Sequence, residues 1–391
     1  MRRPIGLWLV LACLAGTLAV GYATKSACVD AAWTGQQYTS RCYTDIIPLY
    51  GTEQLTGSRL PYLDACEATT YQCDEYPVVT MYAMRVAAWA SSTYADFFRV
   101  NVVLLALAAV LATIALYRMV GERALYFALA PTLALHAFTN WDLLAVAAAT
   151  AATWAASRRR DLLAGVGIGV GVATKLYPGL LLLPFLAQRW REGDRRGAGR
   201  MAAGAALTWL ALNLPFALLA TDGWSRFFRF NATRTADWDS LWFIGCHHLT
   251  GNLGCVDTPL VNAGSAILFV ASVGLVWWLK RRVDPGFARW TAAFPVLVLF
   301  LLSNKVYSPQ YSLWLLPLFA LALPDLLLFL LFSATEVAVF FSRFSWFAAY
   351  SGGSGVKIEA FEAAVIARAI VLIACLVAWI TTRTGPEAET P

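Results

Sequence analysis

Asp45 stands in the polar stretch YTDIIPLYGTEQL, residues 43–55, in the loop that follows the first hydrophobic run. A carboxylate that faces water can take a proton from a hydroxyl and so serve as a general base. Thr44 or Asp45 can equally cap a short helix begun by IIPLY, and residue type alone leaves both roles open. Lys175 in TKLYPG and Lys305 in SNKVYSPQY sit beside short apolar segments. An ammonium so placed can neutralise an anionic group such as a phosphate, or snorkel to lipid head groups. Glu75, ahead of Tyr76 and Pro77, reads first as the cap of a following helix and second as a substrate contact. Asp142, Asn304 and Gln310 complete a set of polar groups that are costly near lipid and are expected to face a polar cavity. His247 and His248 could be half of a metal site, but no third ligand lies nearby in the sequence, so no metal is expected.

The elements that must position these residues are membrane helices. The 391-residue chain is 59% hydrophobic and only 14% charged, a composition outside the range of soluble domains. Its formal charge of +6 comes from arginines clustered between apolar spans, where they set orientation rather than attract nucleic acid. Arg2 and Arg3 ahead of the first span, residues 5–22, predict a cytoplasmic N-terminus, with a cleaved signal peptide as the other reading of that run. Residues 24–96 read as a first outer loop that ends in an interfacial amphipathic helix interrupted by Arg85. Residues 162–188 read as a hairpin turning near Lys175 to Pro178, because one continuous helix would carry the arginine-rich segment after it to the wrong side. Residues 221–259 form a second outer loop. The expectation is one all-α polytopic domain of about twelve transmembrane helices, with both termini cytoplasmic and the polar groups on the outer face.

Six of the eight cysteines fall in loops assigned to the outside, which suits pairing in an oxidising compartment. Cys246 is expected to pair with Cys255, and Cys28, Cys42, Cys66 and Cys73 among themselves in an order the spacing does not decide. The run GVGIGVGVA, residues 165–173, lies in an apolar helix and reads as close helix packing rather than a phosphate loop.

The segments TDIIPLY, DEYPVVT, TNWDLLAV, GVATKLYPGLLLLP and SNKVYSPQYSLWLLP, in that order, resemble the polyprenyl-phosphate-sugar-dependent membrane glycosyltransferases of the GT-C superfamily, and specifically glycosyltransferase family 87. That resemblance implies a GT-C bundle whose first outer loop covers a cavity opening to the outer leaflet of the plasma membrane. It implies Asp45 as catalytic base and inverting transfer of a sugar, mannose foremost and arabinose as the alternative. The donor would be a polyprenyl phosphate and the acceptor a lipid-linked or cell-envelope glycan, with neither cofactor nor metal. Lys175 or Lys305 would then meet the departing phosphate, and Asn304, Gln310, Glu75, Asp142, His247 and His248 are the remaining candidates for substrate contact. Relatives often carry an NQS-like motif in the second outer loop, whereas this chain has ADWDSLWFIGCHHL with Asp239 and Ser240 in the comparable place, which leaves sugar and acceptor open. The rival reading is a transporter or flippase for polyprenyl-linked sugars. It would place ionisable residues near midplane and often show inverted repeats, and neither pattern is visible.

Overall fold

The structure is a computed structural model that describes residues 5–30, 35–67 and 73–383. Arg2 and Arg3, on which the predicted orientation of the N-terminus rests, lie outside the described residues. Those described are helical or irregular, with no strand among them.

Among the described residues, six helices are long and apolar enough to cross a membrane: Leu7–Ser26, Tyr94–Val120, Arg195–Leu219, Thr258–Val283, Leu326–Tyr350 and Ile358–Thr381. The other segments predicted to span are shorter or broken, and most of them pair into helical hairpins. In the first, the chain turns at Gly121, whose φ of +59° suits glycine. It returns through Leu125–Ala128 and Pro131–His136 and leaves along Asp142–Ser157. Pro131 has no N–H to donate, so the returning arm breaks there. The second hairpin is the one predicted near Lys175. Asp161–Thr174 ends where Lys175 turns extended, Pro178 opens the turn Tyr177–Leu181, and Leu182–Arg191 runs back. Its base is closed by Arg189, whose Nε lies 2.7 Å from Asp161 Oδ1. The third hairpin pairs Ala293–Ser303 with the turn Pro309–Trp314 and the helix Leu316–Ala322.

The hairpins join one another at both ends. At the base, Arg191 donates to the Phe287 carbonyl at 2.8 Å and the Arg289 N–H to Gln188 Oε1 at 2.6 Å. At the tips, Asp142 of the first hairpin accepts from Lys175 of the second at 2.8 Å and from Trp314 Nε1 of the third at 2.7 Å. Burial completes the joint, since Asp142 is fully buried and Trp314 stacks on Tyr177 and Tyr311 with ring centroids 4.3 and 4.0 Å apart.

Glycine accounts for one close approach. A Cβ on Gly165 would stand 2.1 Å from the Met201 carbonyl oxygen, and one on Gly169 2.7 Å from that of Ala205. The glycine run therefore lets the second hairpin lie directly against Arg195–Leu219, the packing that the sequence suggests.

The described part of the first loop docks on the hairpin tips. Cys28 pairs with Cys42 and Cys66 with Cys73, which supplies the order the sequence leaves open, and Cys246 pairs with Cys255 as expected. The loop closes with the helix Val78–Trp89, on which Arg85 is 3% exposed and donates to the carbonyls of Leu55 and Gly57 at 3.0 and 2.7 Å. The arginine that interrupts this apolar helix turns its guanidinium inward, to carbonyls that the irregular chain at 55–57 leaves without helical partners.

Candidate active site

The tips of the hairpins and the first loop enclose a cavity of about 600 Å³. Asp45 reaches its wall because the loop is fastened to the first hairpin tip. The Asp45 N–H donates to the Thr139 carbonyl at 2.8 Å, and the Thr44 hydroxyl to the Phe138 carbonyl at 2.7 Å. The helix Ile46–Thr52 follows at once, yet the Asp45 side chain makes no capping bond to it; Thr44 Oγ1 accepts from the Ile46 N–H instead. The capping role left open by the sequence thus falls to Thr44, and the Asp45 carboxylate is turned to other partners.

Those partners hold one oxygen each. The Tyr43 hydroxyl donates to Oδ1 at 2.5 Å, and Asn140 Nδ2 donates to Oδ2 at 2.8 Å. Burial and the adjacent Asp45 charge raise the Tyr43 and Tyr76 phenols well above the ordinary tyrosine range, so both remain protonated. Lys25, in the last turn of the first long helix, fixes the Tyr43 carbonyl at 2.7 Å. Asn140 is itself oriented, since its Oδ1 accepts from the Trp141 N–H at 2.7 Å and from Lys175 Nζ at 3.4 Å. A carboxylate offers about four acceptor sites, and these two donors leave capacity for an incoming hydroxyl.

Among the described residues, four cations line the same cavity: Lys175, Arg234, Lys305 and Arg343. Arg343 is engaged by Asp239 at 2.6 Å, whereas Lys175 balances against Asp142. Lys305 donates to the Arg234 carbonyl at 2.7 Å, and burial with the neighbouring Arg234 charge lowers its pKa. Glu75 is a second carboxylate on the wall. It does not cap the helix Val78–Trp89, whose N-terminal flank is Pro77, and burial pushes its pKa from 4.5 up to about 7 against the opposing pull of Arg234.

The candidates named from sequence divide accordingly. Asp45, Glu75, Lys175, Asn304, Lys305 and Gln310 line one cavity. Asp142 stands behind Lys175 rather than on the wall. His247 and His248 are not lining residues; they meet Glu362 from the last long helix at 2.7 and 2.9 Å. Sequence reading missed Tyr43, Tyr76, Arg234 and Arg343 as neighbours of this site. Tyr43 could have been found, because it lies two residues from Asp45, but the others arrive from distant segments. In the departing loop motif, Asp239 pairs with Arg343 and Ser240 caps the helix Leu241–Thr250 by accepting from the Phe243 N–H at 3.1 Å.

No curated protein matches the chain. The sequence profile of glycosyltransferase family 87 matches residues 75–303, a segment that begins at the cavity carboxylate Glu75 and takes in Asn140, Lys175 and Arg234, while Asp45 lies ahead of it. That match covers more than half of the 391 residues, and the chain, a helical membrane protein, belongs to glycosyltransferase family 87.

Proposed function

We propose that the chain transfers a sugar, mannose in our reading, from a polyprenyl phosphate donor to the hydroxyl of a lipid-linked or cell-envelope glycan on the outer face of the plasma membrane. The observation that carries this reading is the Asp45 carboxylate, held by Tyr43 and Asn140 within the same cavity as Lys175, Arg234 and Lys305. Asp45 takes the proton of the acceptor hydroxyl as its oxygen bonds to the anomeric carbon. The bond from that carbon to the phosphate oxygen breaks, and the phosphate leaves with the electron pair, which inverts the centre. Phosphate is a good leaving group without a general acid, so a single base opposite it is sufficient. Cations placed where charge collects on the departing phosphate lower the barrier further. Lys305 is buried and Lys175 and Arg234 are half-buried, so their charge acts through a lower effective dielectric than in bulk water.

The test is purified protein in lipid, supplied with polyprenyl phosphate mannose or arabinose and candidate glycolipid acceptors, with products read by mass spectrometry. Transfer from one donor is expected, and Asp45→Asn should lower its rate by about 10² to 10⁴ while donor binding and melting temperature stay close to those of the parent. Full activity in that variant removes Asp45 as base. Movement of intact donor across vesicles without transfer replaces the enzyme reading with a transporter.

A further inference from the structure

The structure brings a third ligand to the two adjacent histidines. His247 and His248 lie in the last turn of the helix Leu241–Thr250, and Glu362 lies in the second turn of Ile358–Thr381, more than a hundred residues later. His247 Nδ1 is 2.7 Å from Glu362 Oε1, His248 Nε2 is 2.9 Å from Oε2, and one ligand atom from each of the three residues falls within 4.8 Å of the others. Neighbouring residues on a helix point about 100° apart, so two consecutive imidazoles do not ordinarily meet one target. Here they do, because His247 uses its near nitrogen and His248 its far one.

We propose that His247, His248 and Glu362 bind one divalent transition-metal ion, zinc by the chemistry of the donors, as a cross-link between the second outer loop and the last long helix. Two imidazole nitrogens and one carboxylate oxygen suit zinc and its first-row neighbours, whereas calcium and magnesium take oxygen ligands almost alone. Zinc bonds of about 2.0 to 2.2 Å to nitrogen and oxygen place tetrahedral ligand atoms about 3.3 to 3.5 Å apart. The observed spacings reach that with shifts of under about 1 Å. The carboxylate also needs what such an ion provides. Glu362 is 3% exposed, and among the described residues its hydrogen bonds run to the two histidines. A buried carboxylate is costly unless paired, and a dication shared with the two imidazoles pairs it.

The site is braced and open where it needs to be. The Cys246–Cys255 disulfide adjoins His247, and the Phe243 ring stacks against it with centroids 6.0 Å apart. The His248 side chain is 61% exposed, so an ion can enter from solvent and water can fill the fourth position. None of the three ligands lines the cavity, so the ion would tie the loop to the last long helix without entering the cavity. It reaches the cavity indirectly, since the helix that carries the histidines starts just after Asp239, the partner of the cavity residue Arg343.

The experiment uses the full chain in detergent, oxidised and with its affinity tag removed. After dialysis against zinc and then metal-free buffer, elemental analysis should find one equivalent of zinc, and cobalt should give the visible bands of a tetrahedral site. Adding zinc to chelator-stripped protein should raise the melting temperature, and calcium should not. Glu362→Gln, close in shape to the parent, and His248→Ala, at an exposed position, should each shift the zinc midpoint by at least about tenfold, since even outer-sphere losses cost that much. Less than a tenth of an equivalent of zinc in the parent overturns the proposal. So does zinc retained equally by both variants, each judged folded by gel filtration and by its melting temperature in chelator.

Discussion

Arg195–Leu219 and Thr258–Val283 bury only 17% and 11% of their apolar windows inside the protein, whereas nine of the eleven residues of Ala293–Ser303 are buried. Both kinds of segment are rich in leucine, yet they serve opposite ends. The long helices offer apolar faces outward to lipid, and the short ones fill the centre of the bundle. A helix of fourteen residues, such as Asp161–Thr174, extends about 21 Å, less than a hydrocarbon core of about 30 Å. Hairpins built from such arms end below the surface if their bases lie at the other side, and the depth left over is a cavity. Polar backbone and charged side chains are tolerated at membrane depth only where they line such a space or are enclosed by protein. The contrast teaches that length, more than composition, divides the lipid-facing frame from the site.

The strongest way to break that contrast is Asp142→Ala. Asp142 is fully buried and ties all three hairpin tips through Lys175 and Trp314. Removing one partner of a buried ion pair costs about 3 to 5 kcal/mol, so thermal unfolding in detergent should fall by many degrees. Leu268→Ala on the long helix, at a position 52% exposed, should stay within about 0.5 kcal/mol. Equal effects from the two would mean that the tips are no more tightly joined than the frame.

Next in size is Gly165→Leu. The first added carbon meets the Met201 carbonyl, and overpacking of this kind costs about 1 to 3 kcal/mol. The same change at Gly274, where a Cβ meets nothing within 4 Å, should be near neutral in the same unfolding measurement. A smaller effect is expected on catalysis from Tyr43→Phe, which removes one of two donors to Asp45. Hydrogen bonds to charged groups contribute about 1.5 to 3 kcal/mol, so kcat/KM should drop by about tenfold or somewhat more with little change in melting temperature. A loss as large as that of Asp45→Asn would instead give the phenol a direct part in proton transfer.

What the sequence made legible follows the same division. Long apolar runs and arginine-rich turns are local signals, and they yield the membrane class, the hairpin at Lys175 and the Cys246–Cys255 pair. The glycine run was readable because close helix packing needs small residues wherever it occurs. Contacts between distant segments left no such trace. Asp142 as the joint of three tips, Arg85 turned inward to the carbonyls of Leu55 and Gly57, and Glu362 beneath two histidines each depend on residues that meet only after the chain folds back. Helix boundaries in the first hairpin were also hidden, because residues 124–138 are apolar enough to read as one span although Pro131 breaks them.

The mildest effect expected separates the cavity from the frame by pH. Glu75 has its pKa raised by burial from 4.5 to about 7, with Arg234 pulling the other way. A carboxyl whose folded value lies above its unfolded one adds stability that is fully present below about 4.5 and is lost as pH rises to about 7. The same titration acts on the proposed substrate. Below pH 7 Glu75 is largely neutral and leaves the charges of Lys175, Arg234 and Lys305 available to a phosphate; above it a new negative charge shares their cavity. The donor KM should therefore rise several-fold between pH 6 and 8. In Glu75→Gln, which keeps the shape and removes the titration, that rise should vanish, and the decline in melting temperature from pH 4.5 to 7 should shrink, with the share of buried Glu53, raised to about 8, remaining. A donor KM that climbs equally in both proteins would move the responsible charge elsewhere on the cavity wall, to Lys305, whose pKa burial lowers.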